Sequence, residues 1–418
     1  MGKKGTVLVI GGGIMGLSSA YYLLKDGWQV TVLDKGDFTD NASQGNAGML
    51  VPSHFVPMAA PGMVSKGIRW MFDSKSPFYV KPALSWSLAS WGLQFMRSAT
   101  EAQVQRASVP LRDYHLFSQQ LYNDLQNDPE FDFKLQHKGI LMLFKSVKAG
   151  EEEWQVAQKA SELGLDVALL NGKEVQALEP HARLEVLGAA HYRCDAHLDP
   201  SLLCSQLLQH LRHKGVELRS QSAVTGFSIT EGVVREVATN TNTYQADLVV
   251  MTAGAWLPDL ARKAGLKIPV MPGKGYSILE PLGSKPMLHP SLLVEAKVAV
   301  TPFAGFVRFG GTMELGAMDR RINMKRVEGI LGAVPNYYPD FRPVIPPLEK
   351  IWFGYRPCSP DGLPYLGYAR GLKNLIVAGG HGMMGVSLGL GTGQLVAQLA
   401  MGQRPSVDLS LYAPDRFQ

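Results

Sequence analysis

Gly11-Gly12-Gly13-Ile14-Met15-Gly16 fits the spacing G-x-G-x-x-G, and an acid, Asp34, closes the next strand. Those residue types hold a dinucleotide. The first glycine makes a tight turn, the second lets backbone approach a pyrophosphate, and the third lets a helix pack on its strand. The helix N-terminus then offers free N–H groups and partial positive charge to the phosphates. Asp34 can accept ribose hydroxyls, and its charge repels a 2′-phosphate. The surrounding elements must hold these groups in place. Thr6 to Ile10 reads as a buried parallel strand,. Leu17 to Asp26 reads as a helix stopped by Gly27, and Gln29 to Leu33 as the second strand,. Strand, glycines, helix, strand and acid in this order are far more specific than the glycines alone.

Three more stretches are built to approach a ligand. Ala42 to Leu50 is small, polar and glycine-rich, and such a loop exposes backbone N–H groups,. A plain surface loop is its alternative. Asp247 to Trp256 is an apolar strand that runs into Ala253 and Gly254, where a nucleotide can lie close,. Asn374 to Ala378, Gly379 to Gly385 and Val386 to Met401 repeat strand, glycine loop and helix, with His381 in the loop. His381 is either a proton-transfer group or a satisfied core histidine. Arg308 lies on one face of a hairpin strand with Phe306 and Gly310, where it needs a structural carboxylate or a substrate's carboxylate,.

The chain has 418 residues, 46% apolar and 18% charged, which suits a globular protein of two or three domains,. A net charge of +5 permits an anionic ligand, and no basic cluster interleaved with aromatics argues for nucleic acid,. Cys194, Cys204 and Cys358 give no metal spacing and suggest a reducing compartment, so a cytoplasmic protein without a signal peptide is expected,. Asn374 to Gln403 lacks Asp, Glu, Lys and Arg, but its glycines and His381 suit a buried loop and helix better than a membrane span,. Trp70 to Met96 is rich in aromatics and flanked by Lys66, Arg69, Lys75, Lys81 and Arg97. It is either an internal helix or a patch for peripheral contact with the inner face of the cell membrane.

Between these stretches, Arg106 to Asn127 and Glu151 to Leu163 read as helices around a strand from Gly139 to Phe144. Asp199 caps a helix with Pro200 at its first position,. The pattern suits a second domain of α+β type.

Val9 to Gly16, Asn46-Ala47-Gly48, Ala59 to Gly62, Lys274-Gly275-Tyr276-Ser277, Arg356 with Pro360 to Pro364, and Gly380-His381-Gly382 together resemble the FAD-dependent D-amino-acid oxidase superfamily. The likeness is strongest to bacterial D-amino-acid dehydrogenases of the small-subunit type and covers almost the whole chain. It implies an α/β fold: a Rossmann-like FAD-binding domain from residues 1–85, 190–265 and 350–418, and an α+β substrate domain on an antiparallel sheet from 86–189 and 266–349. It implies FAD with its pyrophosphate on Gly11, Gly13, Ile14, Met15 and Gly16 and its ribose on Asp34 and Lys35. Ser43, Asn46, Ala47, Gly48, Met49 and Leu50 would run beside it. Val224 would meet the adenine, Ala253 and Gly254 the nucleotide, and Gly382, Met383, Met384, Gly385 and Val386 the pyrimidine end of the ring. Arg356 would clamp the substrate carboxylate, with Tyr276 and Arg308 orienting it and His381 in the catalytic loop. Two departures stand out. Asp34 replaces the family's usual glutamate, and Met383 or Met384 stands where glycine oxidases carry arginine. The region from Arg308 to Arg356 is also similar to enzymes of D-proline or hydroxyproline.

The implied reaction is hydride loss from the α-carbon of a D-amino acid to flavin, with a quinone or oxygen as final acceptor. An NAD-dependent dehydrogenase, an oxygen-using oxidase and a flavin-bearing subunit of a hetero-oligomer are the alternatives.

Overall fold

The computed structural model describes residues 4–62, 78–80, 86–283, 286–316 and 318–418. Most of the aromatic stretch before Trp86, with Lys66, Arg69, Lys75 and Lys81, lies outside them.

The opening strand Thr6–Ile10 is central in a six-stranded sheet. It pairs in parallel with Gln29–Leu33 on one side and Leu248–Met251 on the other. Glu217–Arg219 and Leu375–Gly379 extend the parallel run, and Tyr365–Tyr368 adds an antiparallel edge. Alternation divides the opening strand between two cores. Val7 and Val9 face helices Ile14–Lys25, Pro200–His213 and Gly389–Ala400. Leu8 and Ile10 face helix Leu257–Lys263 and a three-stranded antiparallel layer. The carboxyl ends of four strands therefore deliver Gly11, Asp34, Thr252 and Gly380 to one edge, where open α/β sheets bind ligands,.

A second, nine-stranded sheet is mostly antiparallel. Met271–Pro281 pairs with Trp352–Cys358 and with Phe306–Leu315, then come Val298–Phe303 and Ser291–Leu293. One face carries Tyr276, Ile278, Val307 and Phe309 into a core closed by helix Met324–Tyr337. The opposite face carries Ser277, Gly310, Ala299 and Leu292 in one register row across four strands. That row faces the cleft between the two sheets.

Several boundaries differ from the sequence reading. The first helix starts at Ile14, because the glycine turn itself supplies the N-cap. Helices expected from Arg106 and Glu151 begin at Glu101 and Val147, where Thr100 and Ser146 accept the capping N–H bonds. Pro110 sits inside the former without ending it. The last helix starts at Gly389, not Val386. Ser387 accepts from Val51 N at 2.9 Å and lies 2.8 Å from His115, which holds this segment in turns. Trp86–Ser98 is a helix with two characters: Trp91 is buried and donates to Cys358 O, while Trp86 is exposed and Leu93 and Met96 line the cleft between the sheets.

Candidate functional site

Between the sheets lies a cleft of about 980 Å³, at the top of the roughly 300–1,000 Å³ common for small-molecule sites. It runs from the glycine turn, past Val224, Ala253 and Gly254, to the second sheet and the final glycine loop.

Close packing shapes the glycine turn. Gly11 has φ +110°, and a Cβ on Gly16 would sit 1.8 Å from Gly11 O. Neither position accepts a side chain. Gly16 is thus a packing residue, away from the cleft surface, whereas Gly11, Gly13, Ile14 and Met15 line it. Asp34 braces this turn: one carboxylate oxygen accepts from Gly12 N and the other from Gly36 N, each at 2.7 Å. Lys35 also lines the cleft and lies 3.0 Å from the Trp256 ring centroid. Burial lowers its pKa, against the neighbouring charges of Asp34 and Asp40.

The loop after the second strand is wired to both sheets. Ser43 Oγ accepts from Ile14 N at 3.1 Å. Asn46 Oδ1 accepts from Gly48 N at 2.8 Å, and Asn46 O accepts from Arg308 Nη1 at 2.5 Å. Ser43, Asn46, Ala47 and Met49 line the cleft. The Leu50 side chain is buried in the first core, and Gly48, at φ +74°, packs closely against Leu198 O.

Arg356 comes off the edge strand of the second sheet and lines the cleft. Its guanidinium lies flat over Gly275, where a Cβ would meet Nη1 at 1.9 Å. Nη1 donates to Thr312 O at 2.7 Å. Burial lowers its pKa from the ordinary arginine value, yet a guanidinium stays charged at neutral pH,. No carboxylate pairs with it among the described residues. A buried, forked cation with one nitrogen anchored and the rest of the fork facing a cleft suits a carboxylate ligand.

The other three expected catalytic residues are placed differently. Tyr276 is among the residues lining the cleft, but its ring is 1% exposed and packs in the core on the opposite face of the sheet. Its hydroxyl donates to Glu314 and accepts from Asn323 N, both at 3.1 Å. Arg308 is buried on the cleft-facing side, but its guanidinium holds Asn46 O and lies over Phe303. It supports the loop and does not line the cleft. His381 lines the cleft through a ring that is 1% exposed and bonded to Thr392 Oγ1 at 3.0 Å. Burial lowers its pKa to about 3, so the ring is neutral at neutral pH. Gly382 to Val386 follow it along the cleft wall.

Sequence reasoning missed Trp352, whose ring fills the space over Gly45 and Gly354. It also missed His54, which lines the cleft four residues beyond Leu50. No local motif marks either, since both gain their positions from distant partners.

The family model for FAD-dependent oxidoreductases (DAO) matches residues 6–399. The chain belongs to this family of FAD-dependent oxidoreductases. FAD is its cofactor, and the cleft fits it: a side-chain-free turn at a helix N-terminus, a carboxylate at the second strand, and a long adjoining cavity. The chain is 29% identical to a D-amino acid dehydrogenase of Granulibacter bethesdensis, over 98% of this chain and 99% of the relative. It is 30% identical to a D-amino acid dehydrogenase of Chromohalobacter salexigens, over 96% and 97%. Its fold superposes on glycine oxidase from Geobacillus kaustophilus with a TM-score of 0.78, at 24% identity and 99% coverage of each chain. This flavoprotein thus has an α/β FAD domain fold joined to an antiparallel substrate sheet.

Proposed function

We propose that this flavoprotein oxidises D-amino acids to imines, which water converts to keto acids and ammonia. The observation that carries this reading is Arg356, a cleft-facing guanidinium without a carboxylate partner among the described residues. The full-length relatives named D-amino acid dehydrogenase supply the substrate class.

In this reading the backbone from Gly11 to Met15 holds the pyrophosphate at the start of the first helix. Asp34 has acceptor capacity beyond its two N–H bonds and takes ribose hydroxyls,. Ser43, Asn46, Ala47 and Met49 flank the cofactor on one side, Val224, Ala253 and Gly254 follow its adenosine, and Gly382 to Val386 close the far end. Bound FAD supplies an acceptor for the hydride that leaves the substrate α-carbon. Arg356 takes the substrate carboxylate in its fork and fixes which face of the α-carbon is presented. Burial keeps His381 and His115 neutral, and the protein need not supply a strong base if the substrate amine arrives neutral.

The electrons pass on to a quinone or to oxygen, and the name dehydrogenase in the relatives favours a non-oxygen acceptor. The exposed Trp86 supports peripheral contact with a membrane that holds a quinone, while Leu93 and Met96 line the cleft,. No helix among the described residues is long and apolar enough to cross a membrane. Co-sedimentation with lipid vesicles checks this contact, which requires binding that Trp86→Ser weakens. Arg356→Ala is expected to raise KM for a D-amino acid by about 2–4 kcal/mol of lost binding. An unchanged KM would remove Arg356 from substrate binding.

A further inference from the structure

The cleft continues past Arg356 to a second polar group. The Arg356 guanidinium sits over Gly275 and reaches Thr312 on the Phe306–Leu315 strand. Two strands further across the sheet lies Leu292, roughly 10 Å away at the usual strand spacing,. The register row between them is Gly310, Ala299 and Leu292, and all three line the cleft. A Cβ on Gly310 would meet only Tyr276 O, at 3.9 Å, so the space above it is open. This is a shallow track leading away from the carboxylate clamp.

His54 stands at the end of that track. Phe55 packs with Ala190 and Tyr192, and Ala190 is in register with Met142, which pairs with Leu292. Lys297, in the turn after Ser291–Leu293, also lines the cleft there. The His54 ring is anchored from behind. Its Nδ1 lies 3.2 Å from Ser53 Oγ. Ser53 Oγ donates to Asp195 Oδ2 at 2.5 Å, and Ser53 N donates to Asp195 Oδ1 at 3.0 Å. With Asp195 ionised, above its raised pKa of about 7, the Ser53 proton goes to Asp195 and Ser53 Oγ accepts from His54, which puts the imidazole proton on Nδ1. The opposite nitrogen, Nε2, then carries a lone pair, and it has no hydrogen-bond partner among the described residues. Burial, then the Lys297 charge, lowers the His54 pKa to about 4, so the ring is neutral. That same positive neighbour disfavours an ammonium or guanidinium as the donor.

Resting on the D-amino-acid reading above, we infer that His54 Nε2 accepts a hydrogen bond from an uncharged donor on the substrate side chain, a hydroxyl, and so sets substrate preference. Ser53 and Asp195 are positioning residues that fix the ring and its tautomer.

The test is anaerobic flavin reduction by matched pairs: D-serine against D-alanine, and 4-hydroxy-D-proline against D-proline. The protein should favour the hydroxylated member of at least one pair by about tenfold or more in kcat/KM, as a buried acceptor discriminates against a partner that cannot pair with it. His54→Leu should bring that ratio toward one, through KM more than kcat. His54→Gln, which retains an acceptor, should restore part of it, and Ser53→Ala should fall between. Flavin content reports folding; if His54→Leu loses flavin, the Gln and Ala variants decide the same comparison. Equal kcat/KM within both pairs in the unaltered protein, or an unaltered ratio in the variants, overturns the inference. Failure of every D-amino acid to reduce the flavin overturns instead the reading on which it rests.

Discussion

Arg356 is available to a ligand because Gly275 has no side chain. The guanidinium occupies the space a Cβ would take, so the clamp depends on a residue of the neighbouring strand that is distant in sequence. Gly275→Ala is therefore expected to displace the guanidinium and raise KM toward the value of Arg356→Lys, while flavin absorbance stays intact. Steady-state kinetics on both variants check this. Asp195 gives a second test at this scale. Burial raises its pKa to about 7, above the ordinary value of 3.8, against the bonds from Ser53. The folded state keeps a proton that the unfolded chain releases, so this group costs stability as pH rises from about 4 to about 7. Asp195→Asn removes that dependence, and melting temperatures from pH 5 to 8 should fall less for the variant than for the parent. Arg356 was marked out by the family resemblance alone, through its place before Pro360 to Pro364. The face that takes the Tyr276 ring was not legible, because it follows from strand alternation, which is invisible without the register.

At the level of elements, the glycine turn and the strand that ends in Asp34 form one device. The strand places a carboxylate where the turn's N–H groups need an acceptor, and the helix starts directly after. Asp34→Ala leaves Gly12 N and Gly36 N without their acceptor, a loss of about 1.5–3 kcal/mol for bonds to a charged group. The variant should lose FAD on dilution that the parent withstands, as measured by protein-bound flavin absorbance after dialysis. Retention equal to the parent would contradict the role of Asp34. This unit was readable because its signals are local: β-branched strand residues, glycines at fixed spacing, a helix stop. The Asp199 cap with Pro200 was readable for the same reason, and Asp199 does accept from Ser201 and Leu202. Other helix starts were set several residues off, two of them even though Thr100 and Ser146 cap them locally. Ser387 and His115 decide where the last helix begins, and they are far apart in the chain.

The whole molecule joins two sheets whose facing sides make one cleft, and its interior holds several neutral histidines. His54 and His197 are lowered to about 4, and His115 and His381 to about 3, each chiefly by burial. These groups bind protons in the unfolded chain below about pH 6.5 but not in the folded one. Stability is therefore lost as pH falls from about 6.5 toward 4, by about 1.4 kcal/mol per pH unit for each such group, with Asp195 opposing. Acid unfolding followed by circular dichroism should begin in this window, and replacing His197 by Phe should move it to lower pH. His197 suits the test because neither ring nitrogen has a hydrogen-bond partner among the described residues. The two-sheet arrangement was only partly legible. The parallel sheet follows from local βαβ patterns, whereas the row of Ser277, Gly310, Ala299 and Leu292 exists only after four strands pair. The account's central claim is that a flavin and an amino acid share this cleft, the latter held by Arg356. Anaerobic absorbance spectra of the purified protein, before and after each member of a D- and L-amino-acid panel, test it most directly. The account predicts oxidised-flavin bands that a D-amino acid bleaches and its L-enantiomer does not, with Arg356→Ala needing far higher substrate concentration. Bands that no D-amino acid bleaches would contradict it.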